Sequence, residues 1–142
     1  MDHRTLSDRI EISDFLTRYA DAVDRERWDD WKKLFTDDAH IDYSSSPGGI
    51  AGGREEVAAW LEECMKLFSV TQHLISNQDV TIDGDTATVR AMFYNPMQFK
   101  DGPSFFCGGW YNHDLVRTDD GWRSRRLIEE MAWTEGLPSG AQ

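Results

Sequence analysis

The stretch Ser69-Val-Thr-Gln-His-Leu-Ile-Ser-Asn77 decides how the rest of this chain is interpreted. Its β-branched residues predict a strand with one histidine, His73, in the middle. Side chains alternate between the faces of a strand, so Thr71, His73 and Ile75 share one face, which we expect to point into the fold. An imidazole held there is either a buried structural group or a proton-transfer group. Asp24, near the end of the first predicted helix, is the residue that would decide between the two.

Length and composition limit the classes of protein that this chain can be. We expect its 142 residues to form one domain, residues 1–142. Six Trp, seven Phe and four Tyr are enough to fill a core or to line an apolar pocket. The net charge of -11 makes nucleic acid and anionic membrane poor partners.

The first residues are polar, and no apolar segment follows that would suit a signal peptide or a membrane span, so we expect a cytoplasmic protein. Cys64 and Cys107 are far apart in sequence and are interpreted as two reduced thiols. Neither cysteine nor histidine residues have the spacing of a zinc site, and no nucleotide-binding fingerprint is present. We therefore expect no cofactor and no metal.

Apolar residues at spacings of three and four predict three helices in the first half of the chain, over Thr5–Arg25, Trp28–Phe35 and Arg54–Phe68. A short strand, His40–Tyr43, is expected before the last of them. Between this strand and the third helix, the residues from Ser44 to Gly53 are rich in Ser, Gly and Pro and predict a surface loop or a lid over a pocket.

The second half of the chain predicts a series of antiparallel strands. The His73 strand continues towards Ile82, and further strands are expected over Thr86–Phe99, broken near Pro96, over Phe105–Arg117 and over Trp122–Trp133. Asp-Gly pairs in two of the connections are typical of hairpin turns. Helices followed by a meander indicate an α+β fold in which a curved, mostly antiparallel sheet wraps around three N-terminal helices.

Several motifs, taken together and in this order, resemble the SnoaL-like branch of the NTF2-like superfamily. They are Tyr19-Ala-Asp-Ala-Val-Asp24 with Trp28, Leu34-Phe-Thr-Asp-Asp-Ala39, Thr71-Gln-His-Leu-Ile-Ser-Asn77, Ile82-Asp-Gly-Asp-Thr-Ala87 and Val116-Arg-Thr-Asp-Asp-Gly-Trp122. The resemblance implies a cone-shaped fold with an internal apolar pocket, and a homodimer or homotrimer. It is closest to the branch that contains scytalone dehydratase, the lindane dehydrochlorinase and bile-acid dehydratase.

In that branch an Asp at the end of the first helix orients a strand His that acts as a base, and Asp24 and His73 stand at the matching places. Tyr19 falls where the branch has a polar pocket residue. The branch often carries an Arg on the last strand, where this chain has Leu127. Arg125 is one alternation earlier, and it either takes over that role or the role is absent.

The residues themselves suit proton transfer rather than acyl transfer. An Asp that bonds one imidazole nitrogen leaves the other free as a base, and no nucleophile motif accompanies the pair. Tyr43, Tyr111 and His113, which lie on predicted strands, are further candidates for substrate contact. Their positions on these strands would equally suit residues of the pocket wall or the core.

Two functions therefore stay open. The first is a cofactor-free lyase or isomerase, similar to a dehydratase, that acts on a mid-sized, apolar cyclic compound of polyketide, steroid or aromatic type. The second is a non-catalytic module, which would either bind a small molecule or serve as the structural small subunit of a ring-hydroxylating dioxygenase.

Overall fold

The structure, a computed structural model, describes residues 1–138 and contains three helices and seven strands in that range. The helices are α1 (His3–Asp24), α2 (Trp28–Lys32) and α3 (Arg54–Met65). The strands are β1 (Phe35–Asp42), β2 (Ala51–Gly53), β3 (Phe68–Thr71), β4 (Leu74–Asp83), β5 (Thr86–Phe99), β6 (Ser104–Thr118) and β7 (Gly121–Glu135).

One curved sheet carries the fold, and the predicted α+β architecture is confirmed. Its strand order is β2-β1-β7-β6-β5-β3, with β4 also paired to β5. All pairs are antiparallel except β1 with β7, which run parallel. The hairpin turns predicted at Asp83–Asp85 and Asp119–Gly121 join β4 to β5 and β6 to β7. The three helices pack against the sheet and enclose the core.

Helix α1 supplies the main apolar stripe of this core. Asp2 caps its start by accepting a hydrogen bond from the backbone N–H of Thr5 at 2.7 Å. Six buried residues at helical spacing then face the sheet, namely Ile12, Phe15, Leu16, Tyr19, Ala22 and Val23. The helix ends at Asp24, so the last turn delivers both Tyr19 and Asp24 to one end of the sheet.

Two predicted helices are shorter in the structure. The second ends at Lys32, and Phe35 and the two acids after it belong to strand β1, because this segment pairs in parallel with β7. The third ends at Met65, and Phe68 begins β3. In both places the apolar residues fit a helical period and a strand alternation equally well, and pairing with a distant strand decides the outcome.

The stretch from Ser69 to Asn77, predicted as one continuous strand, is interrupted in the structure. Gln72 and His73 lie between β3 and β4, outside both strands, although the predicted alternation of partly buried and exposed side chains is confirmed. The two residues lie between the pairs Thr71–Met97 and Leu74–Tyr94. The facing segment contains Pro96, which has no N–H to donate. The break expected near Pro96 therefore falls in the partner strand, and β5 itself is continuous from Thr86 to Phe99.

Two bulges shape the long strands β6 and β7. One lies at Gly108–Gly109, where a Cβ on Gly109 would approach the carbonyl oxygen of Glu130 to 2.0 Å. The second lies in β7, because Asp114 pairs with Arg126 while Leu115 pairs with Ser124. Each bulge adds one residue to β7, bends the strand and reverses which alternate residues face inward.

Within residues 1–138, no helix has the length and apolarity needed to cross a membrane.

Candidate active site

Asp24 and His73, forty-nine positions apart in the chain, contact each other at one end of the sheet. The ring Nδ1 of His73 lies 2.6 Å from Oδ1 of Asp24, and the backbone N–H of His73 donates to Oδ2 at 2.9 Å. The hydroxyl of Thr71 donates to Oδ1, also at 2.9 Å. The carboxylate thus holds the main chain and the ring of His73 together, and Nε2 remains as the second ring nitrogen.

The break in the strand explains why this contact forms. Gln72 still donates its backbone N–H to the carbonyl oxygen of Pro96 at 3.2 Å, but the N–H of His73 turns to the carboxylate of Asp24. A buried N–H needs a partner, and a carboxylate is a strong one. The three donors also compensate for the unfavourable place of an acid at the C-terminal end of a helix.

The electrostatics of Asp24 favour its charged form. Partial burial raises the pKa of this carboxyl, but the hydrogen bonds and the charge of His73, with the bond from Thr71, outweigh burial and hold the pKa below its ordinary value. With Asp24 ionised, His73 donates from Nδ1, so Nε2 is the unprotonated nitrogen of the neutral ring. The His73 side chain is 7% exposed, and its ring therefore has little contact with bulk water.

A cavity of about 320 Å³ lies beside the ring of His73. Most of its wall is apolar or aromatic, including Trp60, Phe68, Phe99 and Phe105. Helices α1 and α3 form one side, strands β5, β6 and β7 the other, and residues 46–48 of the loop after β1 close part of it. A cavity of this kind suits a ring-shaped apolar molecule with a small number of polar groups.

All three predicted tyrosines line this cavity and are buried. The hydroxyls of Tyr19 and Tyr43 hydrogen-bond to each other, and the ring of Tyr19 meets that of Tyr111 edge to face, with 5.1 Å between centroids. Burial raises the pKa of each of these phenols above its ordinary value, so they stay protonated and able to donate.

His113 does not line the cavity, which corrects its prediction as a second pocket histidine. It is completely buried behind the wall, where Phe15 packs edge to face against it, and its Nδ1 lies 2.8 Å from the hydroxyl of Ser124. Burial lowers the pKa of His113 to about 3, so the ring is neutral. It is part of the core.

Arg125 also lies away from the cavity, and the prediction that it contacts a ligand there is wrong. It is the additional residue of the β7 bulge, and its side chain is exposed. Simple alternation would place Arg125 on the same face as Leu127, but the bulge at Arg125 interrupts the alternation. Leu127 is completely buried, so no arginine reaches the cavity from this position.

The chain matches the SnoaL-like domain family over residues 4–128. It belongs to that family. Among curated relatives, the uncharacterized protein Rv2910c of Mycobacterium tuberculosis is 44% identical over 126 residues, which cover 87% of this chain and 85% of the relative.

Solved structures share the fold of this SnoaL-like domain. A protein of Novosphingobium aromaticivorans, named as a candidate aromatic ring hydroxylase, superimposes with a TM-score of 0.83 at 29% identity, covering 93% of this chain and 94% of that one. A candidate scytalone dehydratase of the same organism gives a TM-score of 0.87 at 22% identity, covering 99% and 95%. The hexachlorocyclohexane dehydrochlorinase LinA-type3 of Novosphingobium barchaimii gives 0.78 at 18% identity, covering 95% and 93%.

Two polar residues of this SnoaL-like domain were missed at the sequence level, Glu129 and Asn95, and both line the cavity. Glu129 is 7% exposed, accepts a hydrogen bond from the hydroxyl of Ser46, and has its pKa raised to about 7 by burial. The signal for Glu129 was its position two residues after the buried Leu127 on one strand. Asn95 alternates with Phe93 and Met97 on β5 in the same way.

In the part of the chain that the structure describes, no cluster of three or more His, Cys, Asp or Glu side chains could hold a metal ion.

Proposed function

We propose that this SnoaL-like domain is a cofactor-free lyase or isomerase, similar to a dehydratase, in which His73 removes a proton from a carbon atom of a cyclic, largely apolar substrate. The observation that carries the proposal is the 2.6 Å contact between Nδ1 of His73 and the carboxylate of Asp24, at the wall of an apolar cavity. The fold shared with the candidate scytalone dehydratase and with LinA-type3 supports the same class of reaction.

The proposed step begins with a C–H bond of the substrate close to Nε2 of His73. Nε2 takes the proton, and the electron pair of the C–H bond forms a new C=C bond. In a lyase the leaving group departs with the electrons of its own bond; in an isomerase the pair shifts towards a carbonyl oxygen and the proton returns at another carbon. Asp24 fixes the ring and stabilises the imidazolium that forms.

The tyrosines have a separate role in this proposal. Within the pair, one hydroxyl of Tyr19 and Tyr43 donates to the other, and the second donates its O–H to an oxygen of the substrate, where negative charge develops as the proton leaves. Because they are buried and already oriented by each other, they need little reorganisation at the moment of reaction.

The test is exchange of hydrogen for deuterium in a probe with an acidic C–H bond. In D₂O, 2-tetralone is followed by NMR, and the native protein is expected to accelerate exchange at the carbons next to the carbonyl. His73→Ala and Asp24→Asn should return exchange to the buffer rate. The control Asp21→Asn changes a half-exposed acid on the same helix, paired with Arg25, and should leave exchange unchanged. Exchange that survives both active-site substitutions would refute the assignment.

A second candidate function is a structural role beside a ring-hydroxylating oxygenase, and the likeness to the candidate aromatic ring hydroxylase favours it. In that case the protein should purify with a larger iron-containing partner when both are produced in the native host. Purification as a free homodimer or homotrimer that exchanges 2-tetralone would support the enzyme instead.

A further inference from the structure

One end of the cavity has an excess of hydrogen-bond acceptors. Glu129 is almost fully buried there, and within residues 1–138 its side chain accepts one hydrogen bond, from Ser46. The amide of Asn95 is 2% exposed and donates to the hydroxyl of Tyr111 at 3.4 Å, while its Oδ1 has no partner among the described residues. Buried acceptors without donors are costly, and here they line a space that a ligand can enter.

This end of the cavity also lacks a positive charge to balance Glu129. No lysine or arginine among the described residues lines the cavity, and the only basic side chain there is His73, which is bonded to Asp24. An isolated carboxylate in a nonpolar site costs several kcal/mol unless a cation accompanies it. Below its raised pKa, Glu129 is neutralised by a proton. Above that pKa the lining residues within 1–138 supply no cation to balance the carboxylate, and a ligand cation can take that place.

The aromatic walls suit a cation as well. Tyr19, Tyr43 and Tyr111 line the same end, and the ring of Tyr43 stacks on Trp60 with 5.6 Å between centroids. The stack covers one face of each of these two rings. An uncovered ring face attracts ammonium groups, more strongly in a site that excludes water. A carboxylate or a halide ion would instead be repelled by Glu129.

We infer that the substrate carries a protonated amine, and that Glu129 and the free Oδ1 of Asn95 accept its N–H hydrogen bonds at the tyrosine-lined end of the cavity. The substrate class is then a cyclic amine of moderate size, with its apolar ring against the aromatic wall. This inference rests on the proposed function only in making the amine the substrate of His73; the amine site itself would also serve a protein that binds without catalysis.

Glu129 is the group expected to change its charge near neutral pH at this site. Burial raises the pKa of Glu129 to about 7, and that of the Cys107 thiol to about 12. The other titratable groups that face or influence it are Tyr19 of α1, Tyr43 after β1, Tyr111 of β6, the carboxylate of Asp42, and His73 across the cavity. Amine binding should therefore strengthen as the pH rises through about 7.

The experiment compares three probes of one shape by calorimetry: 2-aminotetralin, its alcohol 2-tetralol, and tetralin-2-carboxylate. At pH 8 the amine should bind at least about tenfold more tightly than the alcohol, and the carboxylate most weakly. The advantage of the amine should shrink towards onefold as the pH falls to about 5.5, well below the pKa of about 7. In Glu129→Gln the amine should have no advantage over the alcohol at pH 8, and the ratio of the two affinities should not change between pH 8 and pH 5.5.

Glu130→Gln is the matched control. Glu130 is the next residue on the same strand, points outward, and is paired with Arg90 at 2.6 Å. Its substitution therefore changes the net charge by the same amount as Glu129→Gln and leaves the cavity lining unchanged. It should keep the amine preference. If the amine advantage falls equally in Glu129→Gln and Glu130→Gln, the amine is attracted only by the overall negative charge of the protein, and the proposed amine site is wrong. Tighter binding of the alcohol than of the amine in the native protein at pH 8 would overturn it without any variant.

The two proposals fail separately. If His73→Ala keeps the amine preference but no protein exchanges 2-tetralone, the amine site stands and the proposed catalysis fails. If exchange depends on His73 but 2-aminotetralin has no advantage over 2-tetralol, the catalysis stands and the amine site fails.

Discussion

The carboxylate of Asp24 receives both the backbone N–H and the ring Nδ1 of His73, at 2.9 and 2.6 Å. A contact to the ring alone would leave the imidazole free to pivot with its main chain. The double contact fixes the main chain and the ring relative to the end of α1, and hence relative to the cavity. Such preorganisation is what a general base needs if Nε2 is to meet a C–H bond in one orientation.

Thr71 should act as a positioning residue for this pair. Its hydroxyl shares Oδ1 of Asp24 with the ring of His73, so Thr71→Val removes one of three donors to a charged group. We expect the free energy of unfolding to fall by about 1.5–3 kcal/mol and the exchange rate at saturating 2-tetralone to fall several-fold, with little change in KM. Thr71→Ser should restore the rate; if it does not, the hydroxyl is not the cause.

Tyr43→Phe tests the role of the paired phenols. The substitution removes the hydroxyl that bonds Tyr19 and, in our proposal, one donor to the substrate oxygen. Loss of one donor to a developing negative charge should slow exchange by about 10²-fold. Tyr94→Phe is the control, because Tyr94 is 43% exposed and lies outside the cavity. This variant should exchange 2-tetralone at the native rate. Equal rates in Tyr43→Phe and native protein would remove Tyr43 from the mechanism.

Glu129 should make the fold less stable at higher pH. Its pKa is raised from 4.5 to about 7 in the folded chain, so its contribution is complete below about pH 4.5 and is lost as the pH rises through 7. By about pH 8 the loss is about 3 kcal/mol. Denaturant titrations should show this decline in the native protein and in Glu130→Gln, but not in Glu129→Gln. A flat profile in the native protein would mean that Glu129 is not desolvated.

His113 should have the opposite effect on stability. Its pKa falls from 6.5 to about 3 on folding, because the buried ring cannot easily accept a charge. The unfolded chain then binds the extra proton, and stability falls as the pH drops below 6.5, by about 2 kcal/mol near pH 5. His113→Phe should reduce this acid sensitivity in thermal unfolding and leave exchange of 2-tetralone intact. His40 is exposed, and His40→Gln should alter neither the loss of stability in acid nor the rate of 2-tetralone exchange.

Local patterns were sufficient to predict much of the fold. Three features depend only on residues close together in the sequence: the apolar stripe of α1, the two Asp-Gly turns and the alternation of side chains around His73. All three are confirmed. The end of α2 was wrong because Phe35 fits either a helix or a strand, and its pairing with Ser124 of β7 is a contact between distant parts of the chain.

The site was harder to predict from alternation alone. The contact of Asp24 with His73 was expected from a resemblance, while Arg125 was misplaced because it is itself the inserted residue of a bulge, which local alternation does not reveal. Glu129 was missed for a different reason. Acids on strands are ordinarily surface groups, although the spacing of two from the buried Leu127 placed both side chains on one face.

The hydrogen bonds that hold the loop after β1 bear on the route by which a ligand enters and leaves the cavity. Ser45 donates to the carbonyl oxygen of Glu129 and accepts from the backbone N–H of Met131, at 2.9 Å in both cases, so a single hydroxyl continues the sheet where β1 has ended. Swinging this loop aside would break both bonds and the one from Ser46 to Glu129. We therefore expect a ligand to enter past Leu67 and Phe68, which line the cavity at the β3 edge of the sheet, and not past the serine loop.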